Sequence, residues 1–304
     1  MNVLDLFSGT GGFSLGLCQA GMNTVAFCEC EPHAKRVINK HWPSTPVFDD
    51  VATITKQGLQ DHGIKSVDVI CGGFPCQDIS IAGKGAGIEL GQRSGLWSEF
   101  RRIIEDVQPK YAVIENVSAL LSRGLNVILS ELAALRYDAC WTLIDSQYTG
   151  VPQRRRRVYI LAVRDGIPDD SDIFGFEQRS YDQLRTQMAN IEESRPWDFA
   201  QVAGVEHPFA YFTRQRSDQF AECGVAGTLA KRDYKSFTDL VLQAGALRRV
   251  TPEERLLLQG YPSDFFDGCN LTDKEKFMLN GMSVPAVKWI GECIMNFEKG
   301  RDTQ

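Results

Sequence analysis

What this chain of 304 residues lacks narrows the field first. No apolar run approaches the ~20 residues that cross a bilayer. The N-terminal stretch has neither a basic region nor a cleavage site, so no export signal is expected. CxxC pairs are missing: the nine cysteines are odd in number, Cys28 and Cys30 are the closest two, and only four histidines accompany them. That pattern argues against a disulfide framework and against a zinc site, and for a reducing compartment such as the cytoplasm. A basic excess is missing too. The net charge of −6 lends no general attraction to nucleic acid, although a local patch would suffice for binding. Internal repeats, low-complexity tracts and coiled-coil heptads are likewise absent.

What remains is an ordinary globular composition, 43% hydrophobic and 24% charged, long enough for roughly two domains. The most informative stretch is 72–80, Gly-Gly-Phe-Pro-Cys-Gln-Asp-Ile-Ser. It follows an apolar run, 67–71, that reads as a buried strand. In open α/β sheets chemistry collects beyond the carboxyl ends of strands, and a thiol there, on glycine-rich backbone, can act as a nucleophile. Cys76 is that thiol; the competing reading is a buried core cysteine.

The opening of the chain runs strand (3–7), glycine turn (Gly9 to Gly12), helix (13–20) and second strand (24–27). Glu29 then stands twenty residues after Gly9. This is the layout of a Rossmann-type nucleotide site, in which glycines admit the ligand to backbone amides and the acid takes ribose hydroxyls. Asp50 suits either an adenine edge or a helix cap. The glycine-studded stretch from Ser80 to Gly95 suits either a closing loop or a plain connection. A further buried strand (111–114) leads into Glu115 and Asn116, where a glutamate can be functional, solvated or a cap. Four consecutive arginines, Arg154 to Arg157, run into the strand 158–163 in an otherwise acidic protein and form a phosphate-seeking patch. From about 167 to 245 periodicity weakens, as expected of a smaller inserted domain. Helices are expected again over 252–259, capped by Thr251, over 274–279 and over 284–297.

Taken together, these stretches resemble the DNA (cytosine-5)-methyltransferase family, in the family's own order and over nearly all of the chain outside about 170–245. Residues 5–12 (Asp-Leu-Phe-Ser-Gly-Thr-Gly-Gly) look like its first S-adenosylmethionine motif, 27–29 the second and 50–51 the third. Residues 73–77 (Gly-Phe-Pro-Cys-Gln) resemble the nucleophile motif and 93–97 the fifth. Residues 115–117 (Glu-Asn-Val) resemble the catalytic glutamate motif, and 153–157 its glutamine-arginine-x-arginine motif. Residues 248–262 look like the ninth and 281–285 the tenth, where Met282 replaces the family's usual asparagine.

The resemblance implies an α/β fold: a Rossmann-like S-adenosylmethionine-dependent methyltransferase with a mostly parallel sheet and a smaller, irregular target-recognition domain. The implied division is 1–168 and 247–304 for the catalytic domain and 169–246 for the recognition domain. It also implies sequence-specific transfer of methyl from S-adenosyl-L-methionine to carbon 5 of a flipped cytosine in double-stranded DNA, leaving S-adenosyl-L-homocysteine. By the same resemblance Cys76 attacks carbon 6, Glu115 holds the base, Arg157 grips its carbonyl and Arg155 the adjoining phosphate or sugar. The cofactor would be lined by Phe7, Thr10, Gly11, Gly12, Glu29, Cys30, Asp50, Val51, Pro75, Leu96 and Ser283. Gln77, Ser80, Lys84, Arg93, Gln153, Arg232 and Lys235 would meet DNA. No metal is implied. A monomer in a bacterial cytoplasm, or a phage product there, is expected, with a separate restriction endonuclease as a companion. The competing functions are a transfer-RNA cytosine methyltransferase of the same fold and an inactive DNA-binding relative.

Overall fold

The computed structural model describes residues 1–75, 95–164, 173, 207–213, 220–221, 226–229, 239–244, 246–279 and 281–302. Cys76, Gln77, Ser80, Lys84, Arg93, Arg232 and Lys235 lie outside the described residues.

Strands β1 (Asn2–Leu6), β2 (Asn23–Cys28), β3 (Val47–Phe48), β4 (Val69–Gly72), β5 (Tyr111–Val117), β6 (Tyr137–Asp145) and β7 (Arg156–Arg164) form one sheet in the order β3-β2-β1-β4-β5-β7-β6. The strands from β3 to β5 pair in parallel; β7 runs antiparallel to both of its neighbours. This is the Rossmann-like fold expected of a methyltransferase. Strand order reverses beside β1, which opens a crevice at the carboxyl ends of β1 and β4, the usual place for a ligand.

Both faces of the sheet are covered, which is why its central strands read as continuous apolar runs; residues 111–114 are fully buried. On one face lies α4 (Gly95–Val107), whose Trp97, Phe100 and Ile104 recur at helical spacing and bury against Leu4, Ile70, Ala112 and Ile160. The other face carries α1 (Gly12–Gln19) and the C-terminal helix (Val284–Asp302), packed on Val3, Val69, Val113 and Leu161. These two helices touch through glycines: a Cβ on Gly16 would sit 2.7 Å from Val287, and one on Gly291 2.7 Å from Ala20. The last helix therefore returns to the start of the chain.

The structure lengthens two strands beyond the sequence reading, at the point that matters most. Glu115, Asn116 and Val117 belong to β5, and Arg156 and Arg157 belong to β7, because the antiparallel pairing continues to Val117 opposite Arg157. Between 207 and 249, where the sequence shows little periodicity, a second, antiparallel sheet contains β8 (His207–Thr213), β9 (Phe220–Ala221), β10 (Asp239–Gln243) and β11 (Ala246–Arg249). A helix at Pro252–Leu257 follows, closed by a reciprocal capping box between Thr251 and Glu254.

Candidate active site

The first half of the site is the turn between β1 and α1. Phe7 and Gly9 adopt left-handed backbone, at φ 53° and 55°, and Gly11 does so at φ 79°. Any side chain at 11 would also strike the Trp42 ring at 2.7 Å, so two constraints demand glycine there. Glu29, past the end of β2, is nearly buried. Its Oε2 accepts from the Gly9 amide at 2.6 Å and its Oε1 from the Glu31 amide at 2.7 Å. Both oxygens retain lone pairs, so the carboxylate is pinned yet able to accept more hydroxyls. Beneath the turn, Asp5 Oδ2 accepts from the Ser14 hydroxyl at 2.7 Å and from its amide at 3.2 Å. Complete burial raises the Asp5 carboxyl to about 7, against the lowering effect of Ser14.

Thr10, Gly11, Gly12, Val51 and Ser283 are buried around this turn, Phe7 is half-buried, and Cys30, Asp50, Pro75 and Leu96 are exposed. Asp50 caps the short helix that follows it: its Oδ1 accepts from the Ala52 amide at 2.9 Å. Arg102 of α4 donates to the Val51 and Ile54 carbonyls and so fastens that segment.

The second half is built by the reversed strand β7. Glu115 stands directly opposite Tyr159 and diagonal to Arg157, so all three share one face of the sheet. Glu115 Oε1 lies 3.1 Å from Arg157 Nε, a close ion pair off hydrogen-bond alignment, and 3.9 Å from Arg155 Nη2. The arginine run alternates as a strand must: Gln153 and Arg155 turn in, while Arg154 and Arg156 turn out. Arg155 is buried beside the glutamate, its Nε and Nη1 have no hydrogen-bond partner among the described residues, and burial together with nearby Arg157 lowers its pKa despite Glu115. Gln153 is completely buried, with both polar side-chain atoms unpartnered among the described residues.

The two halves meet at Gly73. A Cβ there would lie 2.8 Å from Glu115 Oε2 and 3.6 Å from Met282 Cε. Asn116 Nδ2 donates to the Phe74 carbonyl at 3.1 Å, tying the glutamate's strand to the segment that ends at Pro75. The sequence reading passed over Tyr159, which is buried; burial and Glu115 push its hydroxyl above the ordinary range, and it donates to Met282 Sδ at 3.7 Å. Only its period-two spacing from Arg157 marks it. Residues 226–229, from the variable segment, dock on the arginine arm. The Arg154 amide donates to the Ala226 carbonyl at 2.7 Å, and the Thr228 hydroxyl to the Arg154 carbonyl at 2.6 Å.

The residues present fit a nucleoside-bearing sulfonium donor, given a pinned acid for a diol, an amide-rich turn and the buried, unpartnered Ser283 hydroxyl. Among the described residues no cluster suits a metal ion, and no helix is long and apolar enough to cross a membrane.

The family model described as C-5 cytosine-specific DNA methylase matches residues 1–296. The chain is 31% identical to the type II methyltransferase M2.BsuMI of Bacillus subtilis, over 96% of this chain and 75% of that protein. It is 29% identical to M.NgoBI of Neisseria gonorrhoeae, over 94% and 90%. Its fold is similar to that of a Spodoptera frugiperda DNMT2 mutant, with a TM-score of 0.72 at 17% identity, over 97% and 99% of the two chains.

Proposed function

The chain belongs to the C-5 cytosine-specific DNA methylases, and from that premise we propose how its residues divide the work. It methylates carbon 5 of cytosine in double-stranded DNA at a specific short sequence. S-adenosyl-L-methionine, when bound, supplies an electrophilic methyl group. Glu29 holds its ribose hydroxyls, Phe7 lies against the adenine, and Thr10, Gly11, Gly12, Val51 and Ser283 line the remainder, with Cys30, Asp50, Pro75 and Leu96 at the rim.

Cytosine carbon 5 is a poor nucleophile until electron density is pushed into the ring. The Cys76 thiolate does so by bonding to carbon 6. Glu115 hydrogen-bonds ring nitrogen 3 and the exocyclic amine, while Arg157 holds the base carbonyl and Arg155 keeps the glutamate in place. Once carbon 5 carries the methyl group, loss of its proton restores the ring double bond and expels the thiolate. The base must leave the duplex stack for this, at a cost of a few kcal/mol. Gln77, Ser80, Lys84, Arg93, Arg232 and Lys235 are the candidates for contacts to DNA.

Residues 1–168 and 247–304 make up the catalytic domain, and 169–246 reads the target. The protein acts as a monomer in the cytoplasm. Type II naming of the relatives suits a companion endonuclease that acts separately.

The observation that carries the reading is Glu115 held beside Arg157 and against the Gly73 backbone, at the same sheet edge as the turn pinned by Glu29. The test is transfer of labelled methyl to unmethylated DNA, with Cys76→Ser alongside and bisulfite sequencing of the product. Methylation at one motif, lost in the variant, is expected. Transfer to transfer RNA alone would overturn it.

A further inference from the structure

We infer that Tyr261 is a positioning residue for the methyl donor: its hydroxyl holds the segment carrying Ser283 against the glycine turn between β1 and α1. The inference rests on the reading of that turn as the donor site and adds a residue that lies outside it.

Tyr261 is fully buried, and its hydroxyl sits where three distant parts of the chain meet. The Thr10 hydroxyl donates to it at 3.1 Å and the Met282 amide at 3.2 Å. The ring end is wedged between two backbones that only glycine permits. A Cβ on Gly12 would lie 2.2 Å from the hydroxyl oxygen, and one on Gly281 2.6 Å from it. Such a close fit leaves the ring one position, so its hydroxyl is a fixed point to which both segments are tied.

The next contacts show what the tie presents. Val284 donates its amide to the Gln259 carbonyl at 3.0 Å, so the backbone amides on both sides of Ser283 are held by the 259–261 segment. Ser283 itself is buried, yet among the described residues its hydroxyl has no hydrogen-bond partner. A buried hydroxyl without a partner is costly unless a ligand satisfies it. Its neighbour Met282 stands where the family has asparagine, and its amide needs no side chain to make the tie. Tyr261 thus ties the Thr10 turn to the segment that carries Ser283 and sets the spacing between these two donor-lining groups.

The test is Tyr261→Phe, which keeps the ring between the glycines and removes only the hydroxyl. Binding of S-adenosyl-L-homocysteine is measured by calorimetry, the KM values for donor and DNA are determined separately, and Tm is recorded with and without the product. The dissociation constant for S-adenosyl-L-homocysteine is expected to rise roughly tenfold, the order of one or two lost hydrogen bonds. The KM for DNA stays within twofold of wild type. Gly281→Ala, whose methyl would stand 2.6 Å from the Tyr261 hydroxyl and push the ring from its place, is expected to raise the same dissociation constant and to add little to Tyr261→Phe in the double variant; it also serves as the test should Tyr261→Phe fail to fold. Unchanged product binding overturns the inference. So does a parallel loss of donor binding, DNA binding and Tm, which would mark a residue serving stability alone. Failure of the wild-type protein to bind the product would instead remove the donor-site reading itself.

Discussion

Arg157 Nε stands 3.1 Å from Glu115 Oε1, across two strands that run in opposite directions. Parallel neighbours would have carried the arginine to the far edge of the sheet. The reversal of β7 places a guanidinium and a carboxylate in one pocket, both largely buried, with Arg155 behind them. Glu115→Gln keeps the shape but not the acid, and a positioned acid–base group contributes roughly 10²–10⁴-fold. Methyl transfer is expected to fall by that order while S-adenosyl-L-homocysteine still binds. Retained turnover would remove Glu115 from the chemistry.

Gly73→Ala tests the same pocket from its other wall. The added methyl would stand 2.8 Å from Glu115 Oε2 and push the carboxylate aside. A displacement of that kind can cost on the order of 10²-fold in rate. The expected signature is a fall in kcat with unchanged affinity for the product; unchanged kcat would mean that Glu115 has room to move without loss.

Glu29→Gln replaces a carboxylate that accepts two amides by a group with one acceptor oxygen, so an NH2 must face either Gly9 or Glu31. Loss of a charge-assisted bond costs about 1.5–3 kcal/mol, or roughly ten- to a hundredfold in binding. Calorimetry with S-adenosyl-L-homocysteine reads it directly. Wild-type affinity in the variant would show that the pinned acid does not hold the ribose.

Thr228→Val deletes the hydroxyl bond to the Arg154 carbonyl and leaves the volume nearly unchanged. One neutral hydrogen bond is worth about 0.5–1.5 kcal/mol, so kcat/KM for DNA should drop roughly two- to tenfold. Donor binding is expected to stay the same. A loss confined to donor binding would contradict the docking of this segment on the arginine arm.

Asp5 provides a pH test. Its carboxyl is raised by burial from 3.8 to about 7, so the protonated form favours the folded state. Its stabilising contribution is complete below pH 3.8 and is lost as pH rises through about 7, a span on the order of 4 kcal/mol at 1.36 kcal/mol per unit. Asp5→Asn, whose Oδ1 can accept from the same Ser14 donors, should remove that dependence. Relative to wild type, the variant's Tm is expected to rise between pH 5 and about pH 7 and to level off above that. A constant difference across that range would place the titration elsewhere.

The positions of Glu29 and the glycine turn were legible in the sequence because their contacts are local to a strand-turn-helix-strand unit. Glu115 was legible as the end of an apolar run, but its strand reads three residues too short, since continuation to Val117 depends on Arg157, a partner forty residues away in the chain. Asp50 was legible as a cap or a ligand group, and the Ala52 amide takes one of its two oxygens, Oδ1. The second sheet left little trace because its strands are short and its pairing is non-local.

By itself the sequence determined the alternation of apolar strands and amphipathic helices, the places where only glycine fits, and the chemical types of the reacting groups. Tertiary structure alone decided which of four adjacent arginines face the glutamate, because inward or outward aim depends on strand register. It alone buried Gln153 and Arg155, and it alone set the Tyr261 hydroxyl between Thr10 and Met282, residues some 250 and 21 positions away. Such assignments follow from packing across the sheet, and packing joins residues that no local pattern connects.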